Sequence, residues 1–446
     1  MNWIFLGLIV VSVLAGAFNG TMPKVTDASI ASAKSAADLA ISLIGQMTLW
    51  LGLFGVVREA GLLRSMANVL KPIMTRLFPE VPPTHPAMAA MIMNFAANML
   101  GLGNAATPFG LKAMAELDTL NDRKGVATNS MALFLAINVS GLAMLPLGVV
   151  AVRAASGSHD AAGIIAPTWI ATICSTLCAI IVAKLLEKRR MFAVENYGAV
   201  DVDASKRKAA DAEALQKAEE LAALTMKMSL SRKLFVLGVI GTLLAALVLR
   251  IIQAPEGTRA FDLTRELLSG WLLPVLILVI ITFGFGRQVK VYEAFIGAAK
   301  EGFQTSITII PFLVGMLVSI GMFRASGAME LLVQALSPLL SPFGFPAEAL
   351  PMALIRPLSG SGALAVMAEA MKTYGPDSFI GYLVSVINGG TETTFYVLAL
   401  YFGAVQVKSM RHTLAACIAT DFIGPLAAFV ACKIFFANVP MTFIAG

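Results

Sequence analysis

Residues 386–402 read VINGGTETTFYVLALYF. The end of this stretch would suit a membrane, yet its first half holds two glycines, three threonines and Glu392. A carboxylate at the mouth of an apolar run has two readings. It belongs to a loop that abuts a helix, or it is a charge held inside a membrane for a purpose.

Composition settles the surroundings. The 446 residues are 58% apolar and 13% charged, against roughly 25% charged for an average soluble domain. Stretches near 128–150, 163–186, 234–252, 269–286 and 413–436 pass the length of about 18 apolar residues that marks a transmembrane helix. The expected class is an all-α polytopic membrane protein. The first twenty residues, MNWIFLGLIVVSVLAGAFNG, end in an AGA that resembles a signal cleavage site. No Lys or Arg precedes their apolar core, so they are read as a retained helix whose partner is 269–286.

Little here speaks for an enzyme. The chain has no Walker loop, GxSxG, HExxH or CxxC motif, and no cofactor is expected. Cys174 and Cys178 share a helix face at i, i+4, a spacing open to a soft metal, but without a nearby His they read as small packing residues. SGSHD at 156–160 sets Ser, His and Asp side by side, and loop neighbours do not make a triad. The net charge of +6 fits Lys- and Arg-rich cytoplasmic loops rather than a nucleic-acid partner.

Residues 187–233 interrupt the apolar pattern with ten basic and eight acidic residues. Their basic ends place a linker in the cytoplasm, and 211–228 has the periodicity of a solvated helix. The flanking halves are copies. A shift of 266 residues pairs Lys24 with Lys290, Val25 with Val291, Ile41 with Ile307, Arg58 with Arg324, Gly61 with Gly327 and Pro72 with Pro338. The shift then falls to 257 and to 250, where AIN at 136–138 meets VIN at 386–388. The expected organisation is a first half at 1–190, a linker at 191–232, an unpaired helix at 233–253 and a second half at 254–446.

Loop charge gives orientation. Lys290, Lys300 and Arg287 outweigh Lys24 and Lys34; Lys112, Arg123 and Lys124 outweigh Lys372; Lys408 and Arg411 outweigh Arg153; Lys184 and the KRR at 188–190 outweigh Lys433. The more basic copy alternates, as inverted repeats under the positive-inside rule require. The unpaired helix would carry the chain across so that the second copy starts on the opposite side.

Inverted repeats in transporters carry broken helices near the bilayer midplane. Two matched segments read as such breaks: MNFAANMLGLGNAATPFG at 93–110 and LIRPLSGSGALAV at 354–366. Each mixes Gly and Pro, which cost about 1 and 3 kcal/mol inside a helix, with uncharged polar residues. INVSG at 137–141 and INGGTETT at 387–394 form a second matched pair. A buried Glu392 needs a counter-charge, and Arg356 is the candidate, either as a structural ion pair fixing register or as part of a solute or proton site. Asp421 is a further intramembrane acid, whose rough repeat mate is Thr176. Glu369 and Lys372 are expected on a solvated end. The stretches 60–77 and 327–342 are amphipathic, as interfacial or as packed scaffold helices.

The first half resembles spore maturation protein A through MNWIFLGLIVV, NMLGLGNAATPFGLKAM and FLAIN. The second resembles spore maturation protein B through PFLVGMLVSIGMFRASGA, RPLSGSGAL, TYGPDSFIG and GGTETTFYVLALYFGAV. Nearly the whole chain is covered apart from the linker and the helix near 234–252, as in a fusion of two neighbouring proteins. Both families are grouped with the nucleoside-recognition or Gate domain. The resemblance implies a Gate-type transporter architecture with re-entrant hairpins and names no substrate.

The expected function is inner-membrane transport of a small polar or amphiphilic solute, with a coupling ion or proton and a homo-oligomer left open. Its site would combine Asn98, Asn104, Thr107 and Asn138 with Arg356, Ser359, Ser361, Asn388, Thr391, Glu392 and Thr393. The rival is a membrane scaffold or sensor whose linker recruits partners. Deleting most of 195–225 is expected to spare a transporter's flux and to disable a scaffold, as read by a transport assay beside a pull-down.

Overall fold

The computed structural model describes residues 2–101, 103–197, 229–253, 267, 271–340, 344–437 and 439–441. The helical stretch expected at 211–228 lies outside them. The described part is built from helices that repeat in order. The first half runs α1 (Asn2–Phe18), α2 (Met22–Glu59), α3 (Leu62–Leu77), α4 (Pro86–Met99), α5 (Gly103–Thr119), α6 (Asn129–Val139), α7 (Leu147–Ala155) and α8 (Ile165–Leu186). After α9 (Leu230–Ile252) come α10 (Leu272–Gly286), α11 (Val291–Ala325), α12 (Ala328–Leu340), α13 (Leu350–Ile355), α14 (Gly360–Tyr374), α15 (Phe379–Gly390), α16 (Thr394–Ala404) and α17 (Thr413–Phe435). Helix for helix, α10–α17 repeat α1–α8, and α9 has no counterpart. Even the caps recur: the Thr128 hydroxyl accepts from Met131 N at the start of α6, and Ser378, 250 residues on, accepts from Gly381 N at the start of α15.

The copies are inverted. Along the α2–α11 contact Gly55 meets Ala294 and Ala298, Gly52 meets Phe295, and Ser32 meets Gly321. Climbing one helix descends the other, so the two equivalent helices pack antiparallel. A pseudo-twofold axis must then lie perpendicular to both. Small residues at these positions let the backbones approach closely, the usual basis of helix packing in lipid.

Four helical segments among the described residues are long and apolar enough to cross a membrane: Met22–Glu59, Ala161–Leu186, Leu230–Ile252 and Thr413–Phe435. A fifth candidate is the pair Pro274–Gly286 and Val291–Lys300, bent by 120°. α2 is longer than the expected apolar windows because Lys24, Asp27, Lys34 and Asp38 continue it. Its 38 residues rise about 57 Å, well beyond a hydrocarbon core of about 30 Å.

The stretch 128–150 is not one span. It divides into α6 and α7 around Ser140–Pro146, where Gly141 takes φ +70° and Pro146 precedes α7. Glu369 is not solvated either: it is buried, 3.8 Å from Arg324 and within hydrogen-bond reach of Thr373. Its neighbour Lys372 is exposed and donates to Ser35. Of the amphipathic stretches, α3 packs on α4 through a buried Met74 and leaves Val69 and Ile73 exposed.

Two arginines counted as loop charge are structural. Arg153, in the last turn of α7, is fully buried and grips the loop before α15, donating to Pro376 O, Gly381 O, Ser385, Ser158, Asp160 O and Asp377. Arg411, after α16, does the reverse and donates to Ala127 O before α6. Pro376 and Asp377 are the repeat mates of Val126 and Ala127, so each half's arginine closes the other half's loop. SGSHD thus serves as a structural arginine clamp, with Ser158 and Asp160 among its acceptors.

Candidate functional site

Four helix breaks converge. The α4–α5 break turns at Gly101 (φ +74°) and α6–α7 at Gly141 (φ +70°); in the second half the breaks are Arg356–Ser359 and Thr391–Thr393. Within each half the two breaks are tied by a backbone bond, the two bonds one residue apart in repeat register: Met144 N donates to Met99 O at 3.0 Å, and Phe395 N to Pro357 O at 3.1 Å.

Between the halves the contact is closer. Glu392 N donates to Val139 O at 2.9 Å. A Cβ on Gly141 would come within 2.6 Å of the Thr391 backbone. Thr391 is the repeat mate of Gly141 under the 250-residue shift. A residue that touches its own mate lies on the pseudo-twofold axis, so the crossing of the breaks marks the centre of the molecule.

Arg356 holds the second-half break from inside. Its Nε donates to Thr391 O at 3.1 Å, Nη2 donates to the same carbonyl, and Nη1 reaches Thr393 Oγ1 at 3.5 Å. Nη2 also lies 3.5 Å from Glu392 Oε1, so the charge pair expected from sequence is present. The partners differ in exposure: the Arg356 side chain is 10% exposed and that of Glu392 48%. The guanidinium is committed to protein carbonyls and hydroxyls, and the carboxylate faces the space. Thr393 N donates to Glu392 Oε1 at 3.1 Å, which fixes one carboxylate oxygen.

That space has two lobes. One, of about 160 Å³, is lined by Asn98, Asn138, Arg356, Asn388, Thr391 and Glu392 together with most residues from Gly141 to Val149. The other, of about 400 Å³, shares Arg356, Asn388 and Glu392, adds Ser361, and has an apolar wall of Leu43, Met47, Val149, Val152 and Leu364. Amides crowd the first lobe: Asn98 Nδ2 donates to Asn138 Oδ1 at 3.0 Å, and Asn138 Nδ2 to Phe134 O at 2.8 Å.

The remaining expected residues sit nearby. Ser359 caps α14 by accepting from Gly362 N, and lies 3.4 Å from Ser361. Thr393 is buried behind Glu392. Thr107 is half-buried on α5 and lines neither lobe. The Asn104 side chain lies outside the described residues. The apolar wall escaped sequence reasoning, because Leu43 and Met47 look like any other residues of a long apolar helix. Asn94 was also missed. It is buried, donates to Ala106 O and reaches the Tyr401 hydroxyl, tying α4 to α5 and to the other half.

The model of the Gate family, described as nucleoside recognition, matches residues 40–156 and 306–408. These two segments contain all four breaks. Spore maturation protein B of Bacillus subtilis is 44% identical over 171 residues, 38% of this chain and 96% of that protein. Spore maturation protein A of the same organism is 38% identical over 190 residues, 43% of this chain and 97% of that protein.

Proposed function

Since the chain is a membrane protein of the Gate (nucleoside recognition) family, one half of type spore maturation A fused to one of type B, we propose that it transports a small polar or amphiphilic solute. Transport would pass through the crossing of the breaks, in an inner membrane with the linker in the cytoplasm. The observation that carries this reading is the coincidence of the inversion axis with a lobed cavity bearing an exposed carboxylate. Inverted repeats permit two related arrangements of the same chain, each opening the central site to one side.

The residues divide into two roles. Arg356 positions the break; Glu392, Asn98, Asn138, Asn388 and Ser361 meet the solute, and the wall from Leu43 to Leu364 covers its apolar part. A carboxylate with amides suits a solute rich in hydrogen-bond donors. With no nucleotide-binding motif in the sequence, the driving force is an ion gradient or downhill flow.

Uptake by proteoliposomes tests this, with labelled nucleosides as the first panel because of the family's description. Glu392→Gln removes a charged acceptor, worth about 1.5–3 kcal/mol, so uptake is expected to fall about ten- to hundredfold while the elution profile stays that of the folded protein. Uptake indifferent to Glu392 would remove it from the mechanism. Vesicles inactive across nucleosides and small amphiphiles alike would count against transport itself.

A further inference from the structure

Asp421 lies eight residues into α17, about 12 Å from its start and well inside an apolar span of 23 residues. It borders the exposed stripe formed by Ile418, Phe422 and Ile423. Both its carboxylate oxygens accept from one donor, Thr394 Oγ1, at 2.7 and 2.8 Å. Among the described residues no lysine or arginine forms an ion pair with it.

The helices packed on α17 supply little else. α6 has no charged or titratable side chain; α15 has only Tyr382, which bonds Asp160; α8 has Cys174, Cys178 and, near its far end, Lys184. α16 supplies Thr394 itself; its Tyr401 hydroxyl lies against Asn94, and its Tyr396 is exposed. Arg356 at the end of α13 is the charged group that acts on it electrostatically, and Asp421 in turn acts on Cys417 of α17 itself. The Arg356 guanidinium is already committed to Thr391, Thr393 and Glu392. A carboxylate in hydrocarbon without a counter-ion is costly, and taking up a proton removes the charge.

The first half does the same job without an ionisable group. Ser140, just after α6, pairs with Thr176 on α8 at 2.8 Å, and Thr176 is the rough repeat mate of Asp421. Each pair ties a central break to the last helix of its half. In the first copy the tie is two hydroxyls; in the second it contains a carboxyl.

We propose that Asp421 is a proton-binding site whose occupancy resets the Thr394 tie at the start of α16. Ionised, Asp421 accepts the Thr394 O–H through both oxygens. After one proton binds, the carboxyl itself becomes a donor, and the Thr394 hydroxyl accepts from it or turns its hydrogen elsewhere. Thr394 stands two residues from Glu392, and Arg356 bonds both residues between and beside them, so the change reaches the cavity. That this proton is the coupled ion rests on the transport reading; the binding itself does not.

The test is pH-difference infrared spectroscopy of the full chain in lipid, with no solute added and the proton as its own probe. Between about pH 3 and about pH 9, a window that begins below the ordinary Asp value of about 4, a protonated-carboxyl C=O band is expected to rise and fall. Asp421→Asn should remove it, Glu392→Gln should keep it, and Thr394→Val, which retains the carboxyl and changes only its donor, should move its midpoint. A band that survives Asp421→Asn, a midpoint unmoved in Thr394→Val, or no titrating carboxyl in the unaltered protein would overturn the assignment. Because the spectrum needs no solute, it can fail while transport stands, and the reverse.

Discussion

Arg153→Met is expected to cost the folded protein about 3–5 kcal/mol, as removal of one member of a buried pair does. The side chain is 0% exposed, and its two terminal nitrogens make six hydrogen bonds. Its guanidinium also lies 4.3 Å from the Tyr382 ring centroid. Methionine fills the volume but leaves Pro376 O, Asp160 O and Asp377 without this donor. Asp377 is 22% exposed and regains some water, which puts the effect toward the lower end of that range. Lysine should rescue poorly, since a single ammonium cannot reproduce a planar fork that serves acceptors on both sides. Thermal melting of the purified protein in detergent reads the result, and an unchanged transition in Arg153→Met would show that the clamp is dispensable.

The second large effect belongs to Gly141→Ala. Its φ of +70° is a left-handed conformation that costs a side-chain-bearing residue about 1–2 kcal/mol. The new methyl would also lie 2.6 Å from the Thr391 backbone, an overpacking worth typically about 1–3 kcal/mol more. Thr391 has little room to retreat, with Arg356 bonded to its carbonyl and Gly424 against its methyl. A matched control exists in Gly148, which borders both lobes and has open space where a Cβ would go. Melting should drop sharply in Gly141→Ala and hardly move in Gly148→Ala; equal melting in the two would refute the contact.

The duplication was legible because lipid-facing helices keep their small and charged landmarks in register, and Arg58, Gly61 and Pro72 reappear 266 residues on. Inversion was legible in loop charge, although Arg153 and Arg411 turned out to be buried, so part of that signal was accidental. Charge alone does not say whether an arginine faces water or a set of carbonyls; that depends on which loop the other half brings to it. The break inside 128–150 was marked by INVSG at 137–141, yet the stretch still passed as one apolar window because Leu142, Ala143, Met144 and Leu145 are apolar and an averaged hydropathy passes over a break that lines a cavity rather than water. Glu369 was misplaced for the opposite reason: a polar neighbourhood in sequence was taken for a wet one in space. The Glu392–Arg356 pair could be anticipated, since few charges interrupt the apolar sequence of that half. Its division of labour could not, because it depends on where the Thr391 carbonyl points.

The reciprocal arginine clamps have a consequence for assembly. Each half receives a donor that the other half owns, so the hydrogen bonding of the loops before α6 and α15 is completed only when both halves are present. For two independent chains that completion would be a bimolecular event, sensitive to dilution and to unequal supply. Joining the halves through one polypeptide makes it intramolecular and fixes their ratio at one to one. The charged linker and the unmatched α9 can then be understood as the hardware of an enforced stoichiometry.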